Sequence, residues 1–139
     1  MKSPGREVSA PHVSSPRGTV LIVDDDADTT HMFATILQFE GYHVVTASDG
    51  ETGIREILKA RPDAILLDLR MPAADGLTFL RQVRASEQSR DIPVAIITGD
   101  LVEETLAREF RRLDAVVYFK PLWLEDLVAL AERLTRPPH

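Results

Sequence analysis

Apolar and polar positions follow one another along this chain in blocks that predict five β-strands and five α-helices. The strand candidates are short runs rich in Ile, Leu and Val, at 19–23, 42–47, 64–67, 93–97 and 115–119. Near-continuous apolar runs are typical of parallel strands that are covered on both faces. The second run is less apolar and the fifth contains Tyr118, so these two strands are predicted to lie at the edges of the sheet.

Between the strand candidates, apolar residues recur at helical spacing. The five stripes include Phe33 and Leu37, Ile54 and Leu58, Leu77 and Leu80, Leu106 and Phe110, and Leu127 and Leu134. Asp28 or Thr29 is predicted to cap the first helix, and Ser48 followed by Glu51 predicts a capping box for the second. Alternating strands and helices with short links favour a parallel sheet with helices on both faces, an α/β fold.

The chain is predicted to hold one domain between two short tails. Residues 1–18 are rich in Ser, Pro and Gly and have no periodic apolar pattern, which is typical of a flexible N-terminal tail. The predicted domain covers 19–136, and 137–139 form a C-terminal tail.

Composition narrows the functional classes. Of the 139 residues, 44% are hydrophobic and 27% charged, as in globular proteins, and the absence of cysteine excludes disulfides, thiol catalysis and thiolate zinc sites. The formal net charge of −6 argues against direct nucleic-acid binding by this domain. No apolar run approaches the ~20 residues of a membrane span, and the N-terminus has no apolar centre. The prediction is therefore a cytoplasmic location with no membrane contact.

Polar residues follow four of the predicted strands at their carboxyl ends. Asp24 and Asp25 follow the first strand, Asp68 the third, Thr98 the fourth and Lys120 the fifth. Because the carboxyl ends of parallel strands meet at one edge of a sheet, these side chains are predicted to converge. Carboxylates, a hydroxyl and an ammonium group together can hold a hard divalent cation and a phosphoryl group.

The run of Asp residues also fits other motifs. The stretch 24–28 matches the start of a calcium-binding loop, but Thr29 and Thr35 stand where that loop needs Gly and Glu, so a calcium loop is excluded. The DxDx[TV] motif of aspartate-nucleophile phosphohydrolases, counted from the first Asp, requires Thr or Val where Asp28 stands. The stretch 26–30 fits that motif but begins too far beyond the strand. A phospho-aspartate hydrolase and a solvated capping turn remain alternatives.

Taken together, four segments resemble the receiver domain of two-component response regulators, over about residues 19–135. The segments are VDDD at 23–26, LLDLRMPAADG at 66–76, ITGD at 97–100 and FKPL at 119–122. The run DxxMPxxDG is specific for this family, and its ordered combination with the other three segments is stronger evidence still. The resemblance, to a single-domain chemotaxis-type regulator, implies a flavodoxin-like doubly wound (βα)5 fold. It also implies a five-stranded parallel sheet in the order 2-1-3-4-5.

The resemblance assigns a metal and a phosphoacceptor to the acidic edge. It implies that Asp68 accepts the phosphoryl group, that Asp25 binds the metal directly and that Asp24 acts through water. Asp68 and the backbone carbonyl of Arg70 complete the metal shell. All-oxygen ligation with several waters suits Mg²⁺, the implied cofactor.

The remaining site residues are also implied by position. Thr98 corresponds to the hydroxyl that binds a phosphoryl oxygen, and Lys120 to the ammonium that pairs first with the carboxylates and then with the phosphoryl group. Arg70 and Asp100 occupy the two positions that tune how fast the aspartyl phosphate hydrolyses. These two side chains are either paired across the site, which would lengthen the phosphate lifetime, or solvated without effect.

The chain departs from the family pattern near the fifth strand. Val117 stands three residues before Lys120, where receivers usually carry Tyr or Phe. Tyr118 points to the opposite face by strand alternation, whereas Phe119 shares the face of Val117 and is the candidate replacement. An unconventional switch is therefore expected on the output side.

Three further features bear on packing and output. Leu113–Asp114 replaces the Gly-Ala that usually ends the fourth helix, and Gly53 stands where many receivers have Ala. Trp123 opens the last helix. Either its neighbours Leu127 and Leu130 extend an apolar patch for a partner or for self-association, or the Trp123 ring packs locally.

The sequence therefore predicts a non-enzymatic receiver that takes a phosphoryl group from a sensor histidine kinase or a histidine phosphotransfer protein onto Asp68. It would signal to a downstream protein through the surface of the fourth helix, fifth strand and fifth helix. A homodimer through that surface is left open. The alternative is a degenerate receiver that binds proteins independently of phosphorylation.

Overall fold

Five strands and five helices alternate along the chain, as the apolar pattern predicts. A computed structural model describes residues 17–69, 73–99 and 102–136. The strands are β1 (Thr19–Val23), β2 (His43–Ala47), β3 (Ala64–Asp68), β4 (Val94–Thr98) and β5 (Ala115–Phe119). The helices are α1 (Ala27–Phe39), α2 (Gly50–Ala60), α3 (Ala73–Ala85), α4 (Glu104–Arg112) and α5 (Leu124–Thr135).

The strands form one parallel sheet in the order β2-β1-β3-β4-β5. This order confirms the flavodoxin-like fold and the edge positions of β2 and β5. β3 and β4 are buried along their whole length, whereas β2 and β5 carry exposed residues. Central strands with helices on both faces need apolar side chains on both faces, which explains their continuous Ile and Leu runs.

The sheet divides the core into two layers. α2, α3 and α4 cover one face and bury Phe79 and Phe110, while α1 and α5 cover the other and bury Phe33. Val117 packs in the first layer and Tyr118 in the second, which confirms their opposite orientations on β5. Full burial of each large apolar side chain contributes about 1.5–3 kcal/mol to folding.

The first two helices are each capped by an Asp residue. Asp26 caps α1 and Asp49 caps α2, each accepting a hydrogen bond from the backbone N–H three residues further on, at 3.2 Å and 2.8 Å. The predicted caps Asp28, Thr29 and Ser48 are therefore wrong. Several neighbouring side chains at each helix start carry a suitable oxygen, and the turn geometry selects among them.

The predicted tails lie largely outside the described residues, so the domain boundaries stay a prediction. At the N-terminal boundary, an Arg17 guanidinium nitrogen lies 3.0 Å from a Glu132 carboxylate oxygen of α5, and the guanidinium is 5.5 Å from the centre of the Tyr42 ring. Across the three described ranges, no helix combines the length and apolar character that crossing a membrane requires.

Candidate functional site

Three buried polar side chains meet the carboxyl edge of the sheet, at the ends of β1, β3 and β4. Asp24, Asp68 and Thr98 are only 2%, 1% and 3% exposed. Each stands at the end of an apolar strand, so the parallel sheet brings all three to one edge. Acidic side chains are almost never fully buried unless they are paired or bind a ligand, which marks this edge as a candidate site.

Lys120 directly follows β5 and lies beside these three side chains. Its Nζ lies 2.8 Å from Asp68 Oδ2. The backbone N–H of Lys120 donates to the carbonyl of Thr98 at 2.8 Å, so strand pairing carries the ammonium to the site. The Lys120–Asp68 contact is an ion pair by distance, while its angles are not those of a hydrogen bond. The Lys120–Pro121 peptide bond is cis.

The two buried carboxylates are short of hydrogen-bond donors. Asp24 Oδ1 accepts from the backbone N–H of Asp26 at 3.1 Å, but Asp24 Oδ2 and both Asp68 oxygens have no hydrogen-bond donor among the described residues. Burial is the largest cause that raises the pKa of Asp24 to about 6. The Asp68 carboxylate also raises this pKa, whereas the Asp26 N–H and the Lys120 ammonium lower it.

These orphaned oxygens fit a hard divalent cation, which would satisfy them and offset their mutual repulsion. Asp25, the predicted direct ligand, is exposed and lines a cavity of about 340 Å³ together with Asp24. In the part of the chain that the structure describes, no three His, Asp or Glu side chains group closely enough to hold a metal. A magnesium site here therefore also needs a backbone oxygen such as the predicted Arg70 carbonyl, with waters in the remaining positions.

The two predicted tuning residues, Arg70 and Asp100, lie outside the described residues. Their pairing across the site and the contribution of the Arg70 carbonyl accordingly stay predictions.

The output-side residues occupy different surroundings. The Tyr118 ring centre lies 5.6 Å from the Arg133 guanidinium carbon on α5, on the far side of the sheet from Val117. Phe119, the candidate replacement for the missing aromatic, is 54% exposed and so points outward in this structure.

Trp123 stands exposed just before α5. Its side chain is 66% exposed, and Leu124 beside it is also exposed. The prediction that Leu127 and Leu130 extend this patch is wrong, because both are 1% exposed and pack in the core layer of α1 and α5.

A larger cavity beside the site was not evident from the sequence. It measures about 760 Å³, lies between α2 and α3, and is lined by Asp25, Asp49, Glu51 and Asp75 among others. These acids come from separate loops and helices, so only the packing of α2 against α3 brings them together.

Comparison with known proteins agrees with this geometry. A family model described as the response regulator receiver domain matches residues 20–132. The transcriptional regulatory protein PrrA of Mycobacterium leprae is 38% identical over 125 residues, which cover 89% of this chain and 52% of PrrA. The response regulator MprA of Mycolicibacterium vanbaalenii is 37% identical over 118 residues, covering 84% of this chain and 50% of MprA. The chain thus spans about half the length of these curated relatives.

A solved structure shows the same architecture. The chemotaxis protein CheY4 of Vibrio cholerae superposes with a TM-score of 0.76 and 32% identity, over 84% of this chain and 97% of CheY4.

Proposed function

The chain belongs to the response regulator receiver family, and from this premise we propose that Asp68 accepts a phosphoryl group from a sensor histidine kinase or a histidine phosphotransfer protein. The observation that carries the proposal is the 2.8 Å contact between Lys120 Nζ and Asp68 Oδ2 at a buried edge shared with Asp24 and Thr98. Receiver domains are generally signalling modules, and we expect no turnover of a separate substrate.

The proposed transfer is a nucleophilic displacement at phosphorus. An Asp68 carboxylate oxygen attacks the phosphorus of the donor phosphohistidine, and the P–N bond breaks. The imidazole nitrogen leaves with the electron pair of that bond and takes up a proton, while Asp68 becomes an acyl phosphate. Lys120 is close enough to pair with a phosphoryl oxygen, and the Thr98 hydroxyl would donate a hydrogen bond to another.

Receiver domains generally bind Mg²⁺ at the acidic phosphorylation site. In this chain the ligands would be the carboxylates of Asp25 and Asp68 and the carbonyl of Arg70, with Asp24 acting through water. Bound Mg²⁺ supplies positive charge that offsets the negative charge on the phosphoryl oxygens. The unsatisfied oxygens of Asp24 and Asp68 support this ligand set.

The proposed output surface consists of α4, β5 and α5 and faces a downstream protein. Exposed apolar side chains on β5 and before α5, namely Val116, Phe119 and Trp123, support a protein contact there. The arginines of α4 are largely engaged within the helix, since Arg111 pairs with Glu104 at 3.1 Å and Arg112 with Glu109 at 2.7 Å. With the net charge of −6, this pairing favours a protein or a second copy of the chain over nucleic acid.

The test is intact-mass analysis after incubation with acetyl phosphate, with and without Mg²⁺. Wild-type protein should gain the mass of one phosphoryl group only when Mg²⁺ is present. Asp68→Asn should gain none, whereas Asp75→Asn, an exposed acid in the first turn of α3, should behave as the wild type. A wild type that gains no mass would instead support the phosphorylation-independent binding module.

A further inference from the structure

One arginine of α3 binds four backbone carbonyls. Arg84 Nε donates to the Leu113 carbonyl at 2.7 Å, and Nη1 donates to the carbonyls of Arg90 at 3.0 Å and Ile92 at 2.7 Å. Nη2 donates to the Asp114 carbonyl at a longer 3.3 Å. The planar guanidinium, with five N–H donors in fixed directions, suits such a set of acceptors in a way that a lysine ammonium does not.

The four carbonyls share a location at the amino edge of the sheet, opposite the carboxyl edge that holds Asp68. Arg90 and Ile92 precede β4, while Leu113 and Asp114 connect α4 to β5. A single side chain therefore ties the end of α3 to the start of β4, the end of α4 and the start of β5.

The C-terminal end of α4 lacks a glycine to end the helix. Asp114 follows the helix with φ of +56°, a left-handed conformation that Gly adopts without cost and that other residues resist. The hydrogen bonds that Arg84 donates to the carbonyls of Leu113 and Asp114 connect this turn to α3. Phe110, which is fully buried, fixes the same half of α4 in the core.

The N-terminal end of α4 is held by apolar packing, since the partly buried Val102 and Leu106 contact the core. Glu103 occupies the capping position without a side-chain capping bond, and residues 103–105 are exposed. This end is also the one connected to Thr98 at the candidate site, while the Arg84 contact lies at the far end of the helix. Among the described residues, the two ends of α4 are therefore held by different contacts, apolar packing at the N-terminal end and the Arg84 hydrogen bonds at the C-terminal end.

We infer that Arg84 is a positioning residue that anchors the C-terminal end of α4, so that α4 pivots about Leu113–Asp114 when the site changes and does not shift as a whole. The inference rests on the proposed function, because binding of a phosphoryl group near Thr98 would move the N-terminal end of α4, which has no side-chain cap.

The first arm of the test is hydrogen exchange measured by mass spectrometry on the full chain without ligand. Arg84→Met should speed amide exchange over 111–116 by about tenfold or more, because it removes all four bonds. The matched control is Arg81→Met, one turn earlier on α3, which loses only an exposed 3.4 Å contact to Glu109 and should change exchange by less than about twofold. If Arg84→Met does not fold, Arg84→Lys should still give at least about threefold faster exchange.

The second arm adds beryllofluoride and Mg²⁺ as a phosphoryl analogue. In the wild type, exchange should change by about threefold or more over 103–107 and by less than half of that over 111–116. In Arg84→Met the change should extend over the whole helix. In protein that acetyl phosphate labels, equal changes at both ends of wild-type α4 or no change at either end would overturn the inference. Unaltered ligand-free exchange in the Arg84 variants would overturn it whether or not labelling occurs.

Failure of the proposed function is distinguishable from failure of this inference. Acetyl phosphate labelling of the same proteins reports on Asp68 alone. The ligand-free comparison of the Arg84 and Arg81 variants reports on the anchor whether or not Asp68 is phosphorylated.

Discussion

Asp68 ends β3 and Lys120 directly follows β5, two strands separated by β4, yet their charged groups lie 2.8 Å apart. The Asp68 side chain is 2% exposed and that of Lys120 is 23% exposed, so solvent screens the pair weakly. Removing one member of such a pair leaves an uncompensated charge in the protein, which is more costly than the loss of a surface ion pair.

Lys120→Met should slow phosphorylation of Asp68 by acetyl phosphate about 10- to 100-fold. The methionine keeps most of the volume of the side chain but removes the positive charge beside the attacking oxygen and the incoming phosphoryl group. The rate of mass gain in saturating Mg²⁺ is the measurement. Lys120→Arg serves as the control, since it keeps the charge and should retain part of the rate. Equal rates for wild type and Lys120→Met would contradict a role for the ammonium.

The raised pKa of Asp24 predicts how stability depends on pH when no metal is bound. A folded-state pKa of about 6, above the ordinary value, means that the folded chain binds this proton more tightly than the unfolded chain. Asp24 therefore contributes stability below pH about 4, and the contribution is lost as pH rises to about 6. In EDTA, the free energy of unfolding should fall across this interval.

The measurement is urea unfolding of wild type and Asp24→Asn over a series of pH values in EDTA. Asn has no proton to lose, so the difference in stability between variant and wild type should increase with pH and reach about 1–2 kcal/mol in favour of Asn near pH 7. Mg²⁺ should stabilise the wild type near pH 7 more than the variant. Parallel pH curves for the two proteins would show that Asp24 does not titrate as expected.

Gly53 and Phe79 form a contact that the sequence pattern does not reveal. A Cβ at Gly53 would lie 2.8 Å from Phe79 Cε1 and 3.3 Å from Val23 Cγ2. Replacing a glycine inside a helix by alanine normally stabilises by about 1 kcal/mol, but overpacking a core costs about 1–3 kcal/mol. We expect Gly53→Ala to lower the free energy of unfolding by about 1 kcal/mol.

Urea unfolding of Gly53→Ala, Phe79→Leu and the double variant tests this expectation. Leucine vacates the space occupied by the edge of the Phe79 ring, so the two effects should be non-additive. In the Phe79→Leu background, Gly53→Ala should be neutral or stabilising. Additive losses would mean that the Phe79 ring is not the source of the loss caused by Gly53→Ala.

The strands and the acidic edge could be predicted because their determinants are local. Asp68 and Lys120 each directly follow an apolar run, and a parallel sheet brings the carboxyl ends of such runs to one edge. The sheet order came only from the family resemblance, since the spacing of the runs permits several orders. The predicted helix caps are one to three residues from the observed ones, because Asp26, Asp28 and Thr29 all satisfy the same local rule.

What could not be predicted depends on packing between distant segments. Leu127 and Leu130 were assigned to a surface patch because helical spacing does not say which side of α5 meets the sheet. The role of Arg84 is equally hidden, since its acceptors are main-chain carbonyls as far along the chain as Asp114. Every residue has a backbone carbonyl, so the sequence does not show which carbonyls accept a hydrogen bond, and only the fold identifies them.

Asp114 offers a position where stability should be gained. Its φ of +56° lies in the left-handed region, where a Cβ meets the neighbouring backbone and glycine has no such conflict. Arg84 donates its hydrogen bond to the carbonyl of Asp114, so a substitution here keeps that acceptor but removes the attraction between the Asp114 carboxylate and the Arg84 guanidinium. We expect Asp114→Gly to raise the free energy of unfolding by about 0.5–1 kcal/mol.

The matched control is Asp114→Ala, which removes the same carboxylate but keeps the Cβ. Alanine tolerates the left-handed conformation less well than aspartate, so this variant should be less stable than wild type by about 0.5–1 kcal/mol. Urea unfolding of the three proteins gives the order Gly, Asp, Ala from most to least stable. If the two variants were equally stable, the effect would come from the carboxylate, and the left-handed turn after α4 would not be what limits stability at this end of the helix.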